Sequence, residues 1–230
     1  MNKTIQSLNW QLRDNADAVA YEACQKIVSC AQQAIDKKGF FSLVLAGGST
    51  PKQTYRLLAE TDSDWAHWQI YYGDERCLPE NDAERNSVMA AQVWLDPVQM
   101  SSNQIHPIPA HLGTKTAAHH YTEIIKKALP FDMVLLGMGE DGHTASLFPG
   151  HTHSPDELVH AVYNAPKPPP DRVSLSVAAL SNTDELLLIV TGASKREAVT
   201  AWRHGNTLPI AQIQAKQNTT VLIDKAAYSQ

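Results

Sequence analysis

Three cysteines in 230 residues, Cys24, Cys30 and Cys77, are too few and too irregularly spaced for a disulfide framework. No Cys-x-x-Cys pair marks a structural zinc, and a reducing compartment fits. Long apolar runs are missing as well: none approaches the roughly 20 residues that span a bilayer. Met1 to Asp14 lacks the apolar segment of a secretory signal, so a cytoplasmic location is expected. Nor is there an excess of positive charge. Acidic residues outnumber basic ones by 24 to 19, a formal charge of −5, which argues against nucleic-acid and anionic-membrane partners. A small anion is not excluded, because a few local cations outweigh a weak global field.

What remains is ordinary globular composition, 43% hydrophobic and 19% charged, enough for a sizeable core. One domain covering residues 1–230 is the expectation. Strand and helix signals alternate along it. Asp14 to Lys38 carries apolar residues at Ala16, Ala20, Ala23, Ile27, Ala31 and Ala34, the spacing of one helical face. Strands are expected at Ser42–Ala46, Gln69–Tyr72, around Ile105, at Met133–Leu136, Leu158–Tyr163, Val173–Val177, Leu186–Val190 and Thr220–Ile223. Helices are expected at Pro51–Glu60, Glu84–Leu95, Thr114–Leu129 and Ser194–His204, with Asp74–Arg76 in a loop. Such alternation predicts an α/β fold, a mainly parallel sheet with helices on both faces.

The most informative stretch is Met133 to Pro149. A short apolar strand ends in Gly137, Gly139 and Gly142, and the turn they allow carries Glu140, Asp141 and His143. Ligands of open α/β sheets bind at such strand ends, and histidine is the side chain best suited to proton transfer near neutral pH. Asp141, two residues away, is placed to orient the imidazole. A second motif, Gly47-Gly48-Ser49-Thr50-Pro51, joins a strand to a helix start, where backbone N–H groups and the helix dipole favour an anion. A simple capped turn, with Ser49 or Thr50 as N-cap, explains the same residues. It is not Gly-x-Gly-x-x-Gly or a nucleotide P-loop, and Ser49 is not in a Gly-x-Ser-x-Gly elbow. Arg172 at a strand start and Lys195 at a helix start add two cations; alone, each reads as a surface charge. Pro166–Pro170 reads as a stiff lead-in to Arg172. His151-x-His153 and His119-His120 lack the third ligand of a catalytic zinc. Solvated histidines are expected there, with no metal and no cofactor. Cys77 is expected to be a small buried thiol rather than a nucleophile.

In order along the chain, Leu45–Pro51, Gly73-Asp74-Glu75-Arg76, Gly137–Pro149, Pro166–Arg172 and Thr191-Gly192-Ala193-Ser194-Lys195 resemble the 6-phosphogluconolactonase family, relatives of the glucosamine-6-phosphate deaminases. The resemblance implies a Rossmann-like domain that hydrolyses 6-phospho-D-glucono-1,5-lactone to 6-phospho-D-gluconate in the pentose phosphate pathway. It brings Arg172 and Lys195 to the pocket of Gly48, Ser49 and Thr50, as the site of the 6-phosphate. His143 is then the base for water, Asp141 its orienter, and Arg76 the group facing developing charge, with Asp74 fixing Arg76 or binding hydroxyls. Arg76 on the phosphate, or a purely structural Asp74–Arg76 ion pair, stays open. The related deaminases carry a loop reading approximately Asp-Gly-His-Ile-Ala-Phe-Asn-Glu-Pro. Here Phe148 stands in the place of that Glu, so deaminase/isomerase chemistry is the second choice. A non-catalytic sugar-phosphate sensor is third. The expected assembly is a monomer or a weak homodimer.

Overall fold

The computed structural model describes residues 8–228. In chain order the elements are β1 (Asn9–Arg13), α1 (Ala16–Lys38), β2 (Phe41–Leu45), α2 (Ser49–Ala59), β3 (Trp68–Tyr72), β4 (Asp74–Arg76), α3 (Asn86–Ala90) and β5 (Ile105–His106). They continue with α4 (Thr114–Ala128), β6 (Phe131–Gly137), β7 (Val159–Val162), β8 (Arg172–Leu175), α5 (Val177–Ser181), β9 (Thr183–Val190), α6 (Arg196–Arg203) and β10 (Asn218–Asp224). Seven strands form one sheet in the order β1-β10-β9-β6-β2-β3-β5, each neighbouring pair parallel. Helices flank this sheet. No helix among the described residues is long and apolar enough to cross a membrane.

Local chemistry explains the main elements. The side chain of Asn15 caps α1 by accepting the Ala18 N–H at 2.9 Å, and Gly39 ends the helix at φ 86°, a conformation that costs glycine little. Between those caps Val19, Ala23, Ile27 and Ala31 are fully buried, one stripe against the sheet. Covered on both faces, β2 and β6 read as continuous apolar runs and are buried over Phe41–Leu45 and Phe131–Leu136.

Strands β2 and β6 are neighbours, yet the chain leaves β2 toward β3 on one side and β6 toward β9 on the other. The loops that follow diverge, and a crevice opens at the strands' carboxyl ends. Two buried tyrosines fix its rim. Tyr55 donates to the Ala46 carbonyl at 2.8 Å and accepts the Ala46 N–H at 2.9 Å. Tyr121 does the same for Tyr72, at 3.2 and 2.9 Å.

Several boundaries differ from the sequence reading. Asp74–Arg76 is not a loop: it is β4, paired antiparallel with β8 in a separate sheet of order β4-β8-β7. Its partner lies about a hundred residues away, so no local pattern announces it. The strand expected to reach Val177 ends at Leu175, because Ser176 caps α5 through the Ala179 N–H at 3.1 Å. Pro51 takes the third position of α2 rather than the first, and Gly48 is the N-cap. The helix expected over Glu84–Leu95 is short α3 followed by a single π-helical turn, Ala91–Leu95. Strand β1, at the sheet edge, was not anticipated.

Candidate active site

A cavity of about 360 Å³ occupies the crevice beyond β2, β3, β6 and β9. Gly48, Ser49, Thr50, Asp74, Arg76, His143, Arg172 and Lys195 all line it, and Asp141 stands behind His143. The fold therefore gathers residues that the sequence scatters over about 150 positions.

The His143 turn is closed by its own backbone. The Gly139 N–H donates to the His143 carbonyl at 2.8 Å, and Gly142 turns at φ 82°. A side chain at Gly139 would run into the imidazole, so the glycine leaves the ring its space. His143 Nδ1 lies 2.5 Å from Asp141 Oδ1, and the same oxygen accepts the His143 backbone N–H at 3.1 Å. Burial lowers the His143 pKa, Asp141 pulls it back up, and the net shift is downward. Partial burial raises Asp141, but the backbone and ring bonds from His143 outweigh it and hold the carboxyl below its ordinary value. At neutral pH this makes a neutral imidazole beside a carboxylate. Nδ1 then carries the proton and Nε2 the lone pair, as a general base requires. Phe148, 3% exposed, packs on the imidazole with ring centroids 4.7 Å apart.

Asp74 does not fix Arg76. Its Oδ2 accepts the Ser146 hydroxyl at 2.6 Å, its Oδ1 accepts Asn86 Nδ2 at 3.1 Å, and its nearest cation is Arg172, 3.9 Å away. Arg76 instead donates from Nη1 to the Glu84 carbonyl, and its buried Nε has no partner among the described residues. The structural Asp74–Arg76 ion pair is absent among the described residues. Behind both, fully buried Glu75 accepts the N–H groups of Asn86 at 2.7 Å and Ser87 at 2.9 Å, so it anchors α3 to β4. Ser146, Asn86 and Glu75 were missed by the sequence reading. Their signal exists only in pairings across the chain.

The residues expected to bind the phosphate fare unequally. Gly48 makes no side-chain cap, and neither Ser49 nor Thr50 is an N-cap. The first N–H groups of α2 thus stay unclaimed by a capping side chain at the cavity edge. Thr50 is buried with its hydroxyl 2.6 Å from that of Thr191, whereas Ser49 is exposed. Arg172, expected at the phosphate, does not present an open guanidinium fork to it. Nε donates to the Pro169 carbonyl at 3.0 Å, and Nη2 to the carbonyls of Lys167 at 3.2 Å and Pro168 at 3.0 Å. Only Nη1 is left, on the side of Asp74. Lys195 has no direct ion pair among the described residues, and burial lowers its pKa. Lys167, another cavity residue the sequence reading passed over, pairs with Glu140 at 2.6 Å.

The remaining candidates are spectators. His119 and His120 are exposed, but His151 and His153 are half-buried rather than solvated. The His153 ring stacks on His160 at 4.4 Å. No group of three or more metal-ligating side chains forms among the described residues. Burial pushes the half-buried Cys77 thiol up to about 11, unsuited to nucleophilic attack. Gly137-Met138-Gly139-Glu140-Asp141-Gly142 spells the spacing of a dinucleotide fingerprint after a strand. No helix opens behind it, however: Thr144 and Leu147 close an isolated bridge, and the pyrophosphate-binding helix end is missing.

Comparison with known proteins gives a consistent result. The family model described as glucosamine-6-phosphate isomerases/6-phosphogluconolactonase matches residues 14–222. A 6-phosphogluconolactonase of Mycobacterium tuberculosis is 34% identical over 93% of this chain and 94% of that protein. One of Streptomyces coelicolor is 32% identical over 93% and 91%. The crystal structure of 6-phosphogluconolactonase from Thermotoga maritima superposes with a TM-score of 0.89 at 27% identity, covering 95% of this chain and all of that one.

Proposed function

The chain belongs to the glucosamine-6-phosphate isomerase and 6-phosphogluconolactonase family, and from that premise we infer its reaction. It hydrolyses 6-phospho-D-glucono-1,5-lactone to 6-phospho-D-gluconate, the second step of the oxidative pentose phosphate pathway. The observation that carries the choice within the family is the environment of His143. One carboxylate, Asp141, holds the imidazole, and an apolar ring, Phe148, covers it. Hydrolysis of a lactone needs a single base at the carbonyl. Sugar-ring opening with proton transfer between carbons needs a further acid, and Phe148 has no proton to move.

In this reading His143 Nε2 takes a proton from water as the oxygen attacks C1, and Asp141 stabilises the imidazolium that forms. Charge grows on the carbonyl oxygen, where Arg76 supplies a cation. When the bond between C1 and the ring oxygen breaks, the imidazolium returns its proton to the departing oxygen, leaving a carboxylic acid and a hydroxyl. Asp74, held by Ser146 and Asn86, serves the sugar hydroxyls. Ser49, the first N–H groups of α2 and Lys195 take the phosphate. Three free cysteines, with thiols raised to about 11 or 12 by burial, suit a reducing cytoplasm.

The test is a rate assay on freshly generated phospholactone, corrected for spontaneous hydrolysis, beside an ammonia assay on glucosamine 6-phosphate. Acid release at a catalytic rate without ammonia above background is expected. Ammonia at a catalytic rate would reverse the assignment.

A further inference from the structure

Lys167 stands on the Pro-rich segment before β8, and Glu140 on the turn that carries His143. The ammonium and carboxylate meet at 2.6 Å, with 35% and 57% of their side chains exposed. This lysine is not a loose surface residue. Its carbonyl is held by Arg172, and the Ala165 N–H donates to the Pro170 carbonyl at 2.9 Å, closing the segment on itself. Lys167 lines the cavity together with Lys195. The two lysines and Glu140 lie near enough to act on one another electrostatically. A dianion reaching Lys195 would therefore meet a second ammonium whose charge a carboxylate already claims.

We propose that Lys167 is a further ligand of the substrate phosphate and that Glu140 competes with that phosphate for the same ammonium. Binding exchanges one Lys167 ion pair for another, and Glu140 turns to solvent. The proposal rests on the lactonase reading for the identity of the substrate, but the exchange itself concerns any phosphate dianion. It requires effects of opposite sign. Removing the ammonium weakens phosphate binding, and removing the carboxylate's charge strengthens it. Since Glu140 acts mainly through its direct pair with Lys167 and only at longer range on Lys195, the carboxylate change has a much smaller effect once Lys167 is gone. An ion pair that merely ties two loops together would make both single changes act alike.

The experiment is calorimetric titration of the full-length protein with 6-phosphogluconate and, separately, with inorganic phosphate at fixed ionic strength. Gluconate serves as the uncharged-end control. Exposed ion pairs are worth little, so Glu140→Gln should tighten both phosphate probes by about two- to fivefold. Lys167→Gln should weaken them by about five- to tenfold, one charge-assisted contact less the Glu140 pair that binding breaks. The double variant should lie closer to Lys167→Gln alone than to the sum of the two single effects. Unchanged or weaker binding in Glu140→Gln, or full additivity in the double variant, would overturn the proposal. Failure of the lactonase reading would show differently, as no phospholactone turnover by the unaltered enzyme, while inorganic phosphate would still report the exchange.

Discussion

At the His143 end of the cavity the two acids and the imidazole are already paired and largely buried, and Arg76 is held by the Glu84 carbonyl. Asp141 holds the imidazole, and Ser146, Asn86 and Arg172 surround Asp74. At the Lys195 end the cations are half-exposed, one without an acid and one with an acid it can release. The first end is organised before substrate arrives, which is what a proton transfer in a dry site needs. The second leaves its charge to be satisfied by substrate, at the cost of desolvating Lys195. Substitutions at the two ends should therefore fail in different ways.

The largest effect is expected at the prepared end. His143→Ala removes the proposed base and should lower kcat by about 10²–10⁴ with the fold intact, as measured by initial rates and circular dichroism. Near-normal turnover in folded protein would mean another group activates water. Next comes the residue that joins the two ends. Arg172 is 5% exposed and its bonds tie the Lys167 segment down beside Asp74. Arg172→Ala leaves three carbonyls and a buried carboxylate short of a partner, and should cost about 3–5 kcal/mol of stability, read by urea denaturation. An unchanged midpoint would return Arg172 to the role of a free phosphate ligand. Lys195→Ala should spare stability yet lower kcat/KM for the phospholactone by about tenfold to a hundredfold, the worth of one charge-assisted contact. If it slowed gluconolactone lacking the phosphate by the same factor, Lys195 would not be reading the phosphate.

The same contrast explains what could be read from the chain. Elements with a local signature were legible. The buried stripe of α1, the apolar run of β6 and the glycines around His143 all show in the sequence, as did the Asp141–His143 pair. The alternation in Asn9–Arg13 was equally available for β1. What stayed hidden depends on partners far along the chain. Asp74–Arg76 becomes a strand only by pairing with Arg172–Ser174, and Glu75 is a buried anchor only because α3 docks there. Arg172 and Lys195 looked alike as isolated cations. Only folding separates the one that binds its own loop from the one left without an ion pair among the described residues at the cavity. Ala145, left-handed at φ 48° beside the His143 turn, has no sequence mark at all.

The claim on which the mechanism turns is that a desolvated, neutral His143 held by Asp141 is the base. The acid limb of the pH–rate profile tests it directly. The rate should rise with pH as imidazolium loses its proton, with an apparent pKa below the ordinary histidine value of about 6.5, since burial lowers that of His143. Asp141 favours the charged ring, so Asp141→Asn should move the limb to still lower pH while reducing the plateau. The substrate phosphate titrates nearby in both proteins, and the difference between the two profiles is therefore the quantity to read. A limb displaced downward in Asp141→Asn is the predicted result. A limb that stays in place, or moves up, would contradict the assignment of His143 and Asp141 as base and orienter.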